Sequence, residues 1–245
     1  MNLNKHLEIK GKHALFSPSQ PSWLNYDADA VTNRLDNRHR KDLGTCIHEY
    51  AATEVELGHS FGATKYVIDG VESYIYNQIV NPSLVYRQIA DTGLPVTVVS
   101  RDALIAYGQQ LLDSLRTIPK ETWETVKSYI NDSSSFKMIP EQPFKYSDYI
   151  FGTADAFSFR SNQLRIHDLK TGSGPTHMEQ LLCYAALFCL EYEKDPKSME
   201  IELRIYQNNE IILFNPTIDD MNAVIKQITE VNKTCSKRTH NVRSK

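Results

Sequence analysis

Two aspartates and a lysine carry the strongest chemical signal in this 245-residue chain. Side chains alternate on an extended strand, so Leu164, Ile166, Asp168 and Lys170 would share one face. The two apolar residues can then meet a core while the end of the strand presents Asp168 and Lys170 together. Asp155, in Gly152-Thr153-Ala154-Asp155, falls on the preceding predicted strand and can approach Asp168 across a hairpin. Two carboxylates that close repel unless a cation lies between them, and hard oxygen ligands of this kind suit Mg²⁺ or Mn²⁺. An ion so held polarises a phosphoryl oxygen and lowers the pKa of a bound water. A neighbouring lysine can orient that water and stabilise charge developing on the phosphate. Asp155, Asp168 and Lys170 thus make a minimal apparatus for cutting a phosphodiester. Taken alone, Asp-x-Lys on a strand is also what an ordinary charged surface strand looks like.

Further residues fall in positions that could serve the same chemistry. His48, in Gly44-Thr45-Cys46-Ile47-His48-Glu49, follows a glycine by one turn of a predicted helix and could be an imidazole ligand to a metal. Glu141, in Pro140-Glu141-Gln142-Pro143, precedes Asp155 by one predicted strand and could add a carboxylate. Gln180 and Tyr184 are spaced i and i+4 on the helix after Lys170 and share a helical face. They could contact a nucleic-acid backbone or brace the site. Each has a plainer reading: a surface or core histidine, a solvated strand end, an amphipathic helix.

The elements that must position these residues are legible in the periodicity. Gly44 to Leu57 predicts a helix, with Ile47, Ala51, Ala52 and Val55 on one side and Gly58 and Gly62 ending it. Arg101 to Ile118 reads as a helix with Ser100 as N-cap, and Glu121 to Ile130 as another, closed by the turn-forming run Asn131 to Ser135. The period then changes. Phe136 to Tyr146, Tyr149 to Phe159 and Leu164 to Lys170 predict three strands. Thr176 to Tyr192 predicts a long helix, and Met199 to Tyr206 and Ile211 to Phe214 two strands about the turn Gln207-Asn208-Asn209. Asp219 to Asn232 predicts a closing helix. Tyr66 to Val99 fits no single period. Helices first, then strand–strand–strand–helix–strand, predicts an α/β domain with a small mixed central sheet flanked by helices.

Composition bounds the rest. Hydrophobic residues at 41% and charged residues at 23% are globular values, and the length suits a single domain over residues 1–245. Residues 1–12 read as a loose leader and 233–245 as a basic tail expected to be disordered. No apolar run reaches bilayer-crossing length and no signal peptide opens the chain, so a cytoplasmic protein with no membrane association is expected. Cys46, Cys183, Cys189 and Cys235 form no C-x-x-C pair, so free thiols are expected. The net charge of −3 does not advertise a nucleic-acid binder, yet Lys233, Lys237, Arg238, Arg243 and Lys245 cluster at the end, where a basic tail can hold phosphates.

Gly44-x-x-x-His48, Glu141, Gly152-x-x-Asp155, Asp168-x-Lys170-Thr171-Gly172 and Gln180-x-x-x-Tyr184, in this order, resemble the motifs of RecB-like nucleases in the PD-(D/E)XK superfamily. Ile166 to Gly172 is especially similar to that family's central motif. Ser17-Pro18-Ser19 with Trp23-Leu24-Asn25 resembles the start of a phage-borne branch. The resemblance spans His13 to Pro216. It implies a restriction-endonuclease-like core and a metal held by His48, Asp155, Asp168 and the backbone carbonyl of Leu169. It further implies Lys170 as the catalytic lysine, Glu141 in support, and Gln180 and Tyr184 beside the site. The expected activity is a Mg²⁺- or Mn²⁺-dependent deoxyribonuclease, an exonuclease resecting duplex DNA ends for recombination or repair, of the lambda-exonuclease and RecE kind. By the same analogy the expected partners are duplex DNA ends, a single-strand annealing protein and further copies in a homo-oligomer, in the host cytoplasm for a phage protein. Ala154 stands where the superfamily's name-giving proline would be, and the cysteine array of iron–sulfur members is missing.

Two other readings stand beside this one. The first is a non-catalytic DNA-binding or assembly protein on the same fold, motivated by the acidic balance and the basic tail. The second is an unrelated hydrolase using Asp and His. Its serine-hydrolase, zincin and P-loop forms find no G-x-S-x-G, H-E-x-x-H or G-x-x-x-x-G-K-[ST] here.

Overall fold

Side-chain period decides which segments become strands and which become helices, and the computed structural model shows both periods resolved around one sheet. It describes residues 18–19, 43–77, 105, 108–109, 111–113, 115–172 and 174–243, with backbone alone over 236–243. The expected leader, the charged stretch from Asp27 to Asp42, Trp23-Leu24-Asn25, the Ser100 cap and most of the ambiguous segment up to Val99 lie outside the described residues.

Helix α1 (Leu43–Glu56) buries Cys46, Ile47, Tyr50, Ala51 and Val55, a single helical stripe. Gly58, at φ +70°, closes it. The Gly58 N–H donates to the Val55 carbonyl and the His59 N–H to that of Glu54, each at 3.0 Å, which is the Schellman arrangement. Helix α2 (Thr64–Ile75) buries Val67, Val71 and Ile75. It meets α1 at Gly70, where an added methyl would overlap the Tyr50 ring. Helix α3 (Lys120–Ser135) runs through the residues expected to form a turn. The reason is tertiary. Asn131 exchanges hydrogen bonds with the backbone of Phe61, at 2.8 and 3.0 Å. Asp132 accepts from Arg204 and Tyr206, and Ser133 meets His167. Polar side chains that would otherwise compete with the helix backbone are engaged elsewhere.

The sheet consists of β1 (Ile139–Lys145), β2 (Phe151–Arg160), β3 (Gln163–Leu169), β4 (Glu200–Gln207) and β5 (Glu210–Phe214), in that spatial order. β1–β2, β2–β3 and β4–β5 pair antiparallel and β3–β4 parallel. Ser161 and Asn162, at φ 50° and 59°, form the tight turn from β2 to β3. A parallel pair needs a crossover, supplied by α4 (Met178–Glu191). Helix α5 (Ile218–Arg243) closes the fold. The molecule is therefore an α/β protein with a five-stranded mixed sheet flanked by helices.

Each face of the sheet has its own core. Helices α4 and α5 pack with Phe157, Leu164, Ile166, Leu203 and Ile205. Helices α1, α2 and α3 pack with Ala156, Leu169 and Tyr206. Alternation holds along β3, but on β2 it slips once. Ala154 and Phe157 share a core although an odd interval separates them, while Ala156 lies in the other. The change of phase falls at Asp155.

The closing helix is longer than its predicted span. Helix α5 does not stop near Asn232 but continues to Arg243. Its start is fixed by a reciprocal cap: the Asp220 N–H donates to Thr217 Oγ1 at 3.2 Å, and the Thr217 N–H to Asp220 Oδ2 at 2.8 Å. Asp219 and Asp220 in the first turn complement the helix dipole.

Candidate active site

The phase change at Asp155 is what assembles the site. β2 and β3 stay paired only as far as Ala156 opposite His167. Beyond that point the Leu169 N–H finds no β2 carbonyl and donates instead to Asp155 Oδ2, at 2.9 Å. One residue's N–H and C=O point to the same side of an antiparallel strand, so the Leu169 carbonyl is turned towards Asp155 as well. Asp168 lies on the opposite surface of β3 from Leu169 and faces α4.

Asp168 is 2% exposed. Lys170, just past the end of β3, places Nζ 3.1 Å from Asp168 Oδ1 and 2.9 Å from Oδ2. Gln180, in the first turn of α4, ties the two together. Its Nε2 donates to Asp168 Oδ1 and its Oε1 accepts from Lys170 Nζ, each at 2.8 Å. Tyr184 is buried one turn on, beside Gly152, and bonds with Gln180. A methyl on Gly152 would lie 3.2 Å from the Tyr184 ring and 2.5 Å from the ring of Pro18. Gly152 is therefore a seat for both. Burial of Gln180 and Tyr184 makes them braces, and removes Tyr184 from the surface that a nucleic acid could touch.

On the other side of Asp155, His48 of α1 brings Nδ1 to 3.3 Å from Oδ2. Gly44 stands where α1 meets the loop after β3, since a methyl there would be 3.0 Å from Thr171 Oγ1. Glu141 falls between Pro140, opposite Ala156, and Gln142, opposite Ala154, so it lies across from Asp155. Its φ of 50° is rare for a residue with a side chain and costs about 1–3 kcal/mol of backbone strain. The charge of Glu141 is felt by His48, Tyr129 and Tyr184.

The electrostatics separate the two aspartates. Burial, and then the neighbouring Asp155 charge, push Asp168 up to about 7 against the pull of Lys170 and His48. Asp155 is also buried, but His48, Lys170 and the Leu169 N–H outweigh that burial and hold it below the usual carboxylate range. Burial disfavours the His48 imidazolium, yet Asp155, Asp168 and Glu141 together raise its pKa.

The structure thus brings together Asp155, Asp168, Lys170, His48 and Gln180, with Tyr184 behind Gln180 and Glu141 across from Asp155. As the side chains stand, no group of three or more histidine, cysteine, aspartate or glutamate residues among the described residues is gathered for a metal ion. Lys170 lies against Asp168 and His48 against Asp155. The donor chemistry nevertheless suits a hard divalent cation. Asp168 Oδ2 is buried and accepts no hydrogen bond, although the Lys170 ammonium is close. A second carboxylate lies on the adjoining strand, an imidazole on α1, and the Leu169 carbonyl next along β3. Two contributors were not foreseen from sequence. The Leu169 N–H depends on where two strands part. Tyr129, buried in α3, responds to the charges of Asp155, Glu141 and Asp168.

None of the four cysteines is in a disulfide, and burial drives the Cys183 and Cys189 thiols up to about 12, so both are core residues. No helix among the described residues is long and apolar enough to cross a membrane. Comparison with protein families, curated proteins and solved structures finds no match to the chain.

Proposed function

We propose that this protein is a metal-dependent DNA nuclease of the RecB-like PD-(D/E)XK kind, acting as an exonuclease on duplex ends. The observation that carries the reading is the buried Asp168 carboxylate, bridged to Lys170 by Gln180, on the strand beside Asp155. Support comes from the core order of helix, three antiparallel strands, helix and parallel strand, the arrangement expected of a restriction-endonuclease-like domain.

Asp155, Asp168, His48 and the Leu169 carbonyl would hold Mg²⁺ or Mn²⁺, with Glu141 in support. When bound, the ion supplies Lewis acidity and an activated water. The remaining work belongs to the chain. Gln180 keeps Lys170 from swinging away, so its ammonium stays on the carboxylate side of the site. That placement lets Lys170 orient a nucleophilic water and offset negative charge on a phosphoryl oxygen. The Leu169 N–H fixes the Asp155 rotamer. Tyr184 and Pro18, packed on Gly152, hold α4 against β2.

The test is a time course on linear duplex DNA labelled at either end, with circular DNA beside it, in Mg²⁺ or Mn²⁺ and with EDTA as control. Progressive loss of the linear substrate, sparing of the circle and arrest by EDTA are expected. No degradation of either substrate, or of single strands, would falsify the reading and leave the non-catalytic DNA-binding alternative.

A further inference from the structure

The sheet has two edge strands, and the chain treats them differently. β1 carries Pro140 and Pro143 and turns left-handed at Glu141, with φ 50°. Proline withholds a donor and a kink spoils a template, so a further strand finds no continuous ladder there. β5, at the other edge, has neither device. Glu210-Ile211-Ile212-Leu213-Phe214 holds no proline and no lysine, and its register with β4 runs unbroken. Ile211 is 47%, Ile212 40% and Leu213 54% exposed, so apolar side chains are open to solvent on both surfaces of the strand. Among the described residues β5 pairs with β4 alone. An open edge of this kind is a template for another strand.

The backbone directions set how that template can be used. The Lys170 N–H donates to the Tyr206 carbonyl, and the Glu200 N–H to the Asn162 carbonyl, each at 2.9 Å. Even-numbered residues of β4 therefore turn their hydrogen-bonding groups to β3, and odd-numbered ones to β5. Ile205 and Ile212 consequently face each other as a hydrogen-bonded pair. Ile211, opposite Tyr206, and Leu213, opposite Arg204, turn their N–H and C=O to the open side.

We infer that β5 is a homodimer interface, pairing antiparallel with β5 of a second copy about a twofold axis at Ile212. In that register Ile211 lies opposite the partner's Leu213, and the outward N–H and C=O groups of both are satisfied. Ile211 and Leu213 of the two copies form one apolar cluster on the surface shared with Tyr206. Ile212 meets its own counterpart on the surface shared with Ile205. Glu210, the one charged residue of the strand, falls opposite Phe214 and away from its own counterpart. Moving the axis by one residue would set Asn209 or Asn215 opposite these apolar side chains. The strand is thus complementary to itself in hydrogen bonding, shape and charge, as an isologous contact requires. A net charge of −3 adds little repulsion between copies at physiological salt. Only the guarded β1 edges are left in the pair, so assembly stops at two. The inference does not depend on the nuclease reading.

The test is sedimentation equilibrium of the full chain over a concentration series. So short a contact belongs to the weak class of interfaces, so dissociation is expected at micromolar concentration. Ile212→Lys sets like charges directly opposite across the axis and is expected to weaken the dimer at least tenfold, as is Ile212→Glu. Mixing these two variants should restore a dimer, because lysine then faces glutamate. Leu213→Pro removes an outward N–H while sparing the bonds to β4, and should also give a monomer; circular dichroism checks that each variant folds. A parent chain that stays monomeric overturns the inference and leaves the edge to a strand of another protein. Assemblies larger than two, a dimer indifferent to Ile212→Lys and Leu213→Pro, or no dimer on mixing the two Ile212 variants would overturn it as well.

Discussion

Asp168 pays for its position in protonation. With its carboxyl held up to about 7 against an ordinary 3.8, the folded state binds more protons than the unfolded chain between those two values. Stability must therefore fall as pH rises through that window, and not increase as it does for an ion-paired surface carboxylate. Thermal melts in EDTA from pH 5 to 8 are expected to show this loss, and Asp168→Asn should make it shallower; equal slopes in the two proteins would remove Asp168 from the effect. Lys170 makes a different prediction. Lys170→Ala should keep the circular dichroism spectrum but lower DNA cleavage about 10²- to 10³-fold, the scale of one lost electrostatic stabiliser. An unchanged cleavage rate would take Lys170 out of the chemistry. Asp168 and Lys170 were legible as neighbours at the end of β3, with Asp155 on the strand beside it, because strand period and hairpin order place them there. The bond from Leu169 N–H to Asp155 was not, since it exists only where β2 and β3 diverge. Nor was the left-handed backbone at Glu141, which no local residue type signals.

Elements were legible where one period ran uninterrupted. Helix α1 and the five strands fall where alternation and the glycines put them. Helix α3 was cut short in the sequence reading because Asn131, Asp132 and Ser133 are turn formers in isolation. Their partners Phe61, Arg204, Tyr206 and His167 are far away in sequence and supply what local pattern cannot show. The β2–α4 junction yields the prediction that belongs at this scale. Gly152→Ala would drive a methyl into the rigid ring of Pro18 and against Tyr184. It is expected to destabilise by about 1–3 kcal/mol, as overpacking does, and to lower cleavage by moving α4 and with it Gln180. A denaturant melt checks the first effect. A midpoint equal to that of the parent protein would mean that Pro18 is not held there.

For the whole molecule, the sheet acts as a partition. Helices α4 and α5 cover one face and α1, α2 and α3 the other, and the proposed site lies where His48 of one layer and Gln180 of the other reach the same pair of strands. The α/β class and the order of elements along the chain could be read from the succession of periods. The convergence of both layers on β2 and β3 could be expected only through the resemblance to RecB-like nucleases, because His48 is more than a hundred residues from Asp155 in the chain. Calorimetric titration with Mn²⁺ addresses that convergence most directly, using the parent protein beside Asp155→Asn and Asp168→Asn. Saturable binding by the parent, strengthening as pH rises through about 7 because bound carboxylates must lose their protons, and at least tenfold weaker in each variant, is the expected result. Equal Mn²⁺ affinity in all three proteins, or none in the parent, would contradict a divalent-ion site at these aspartates.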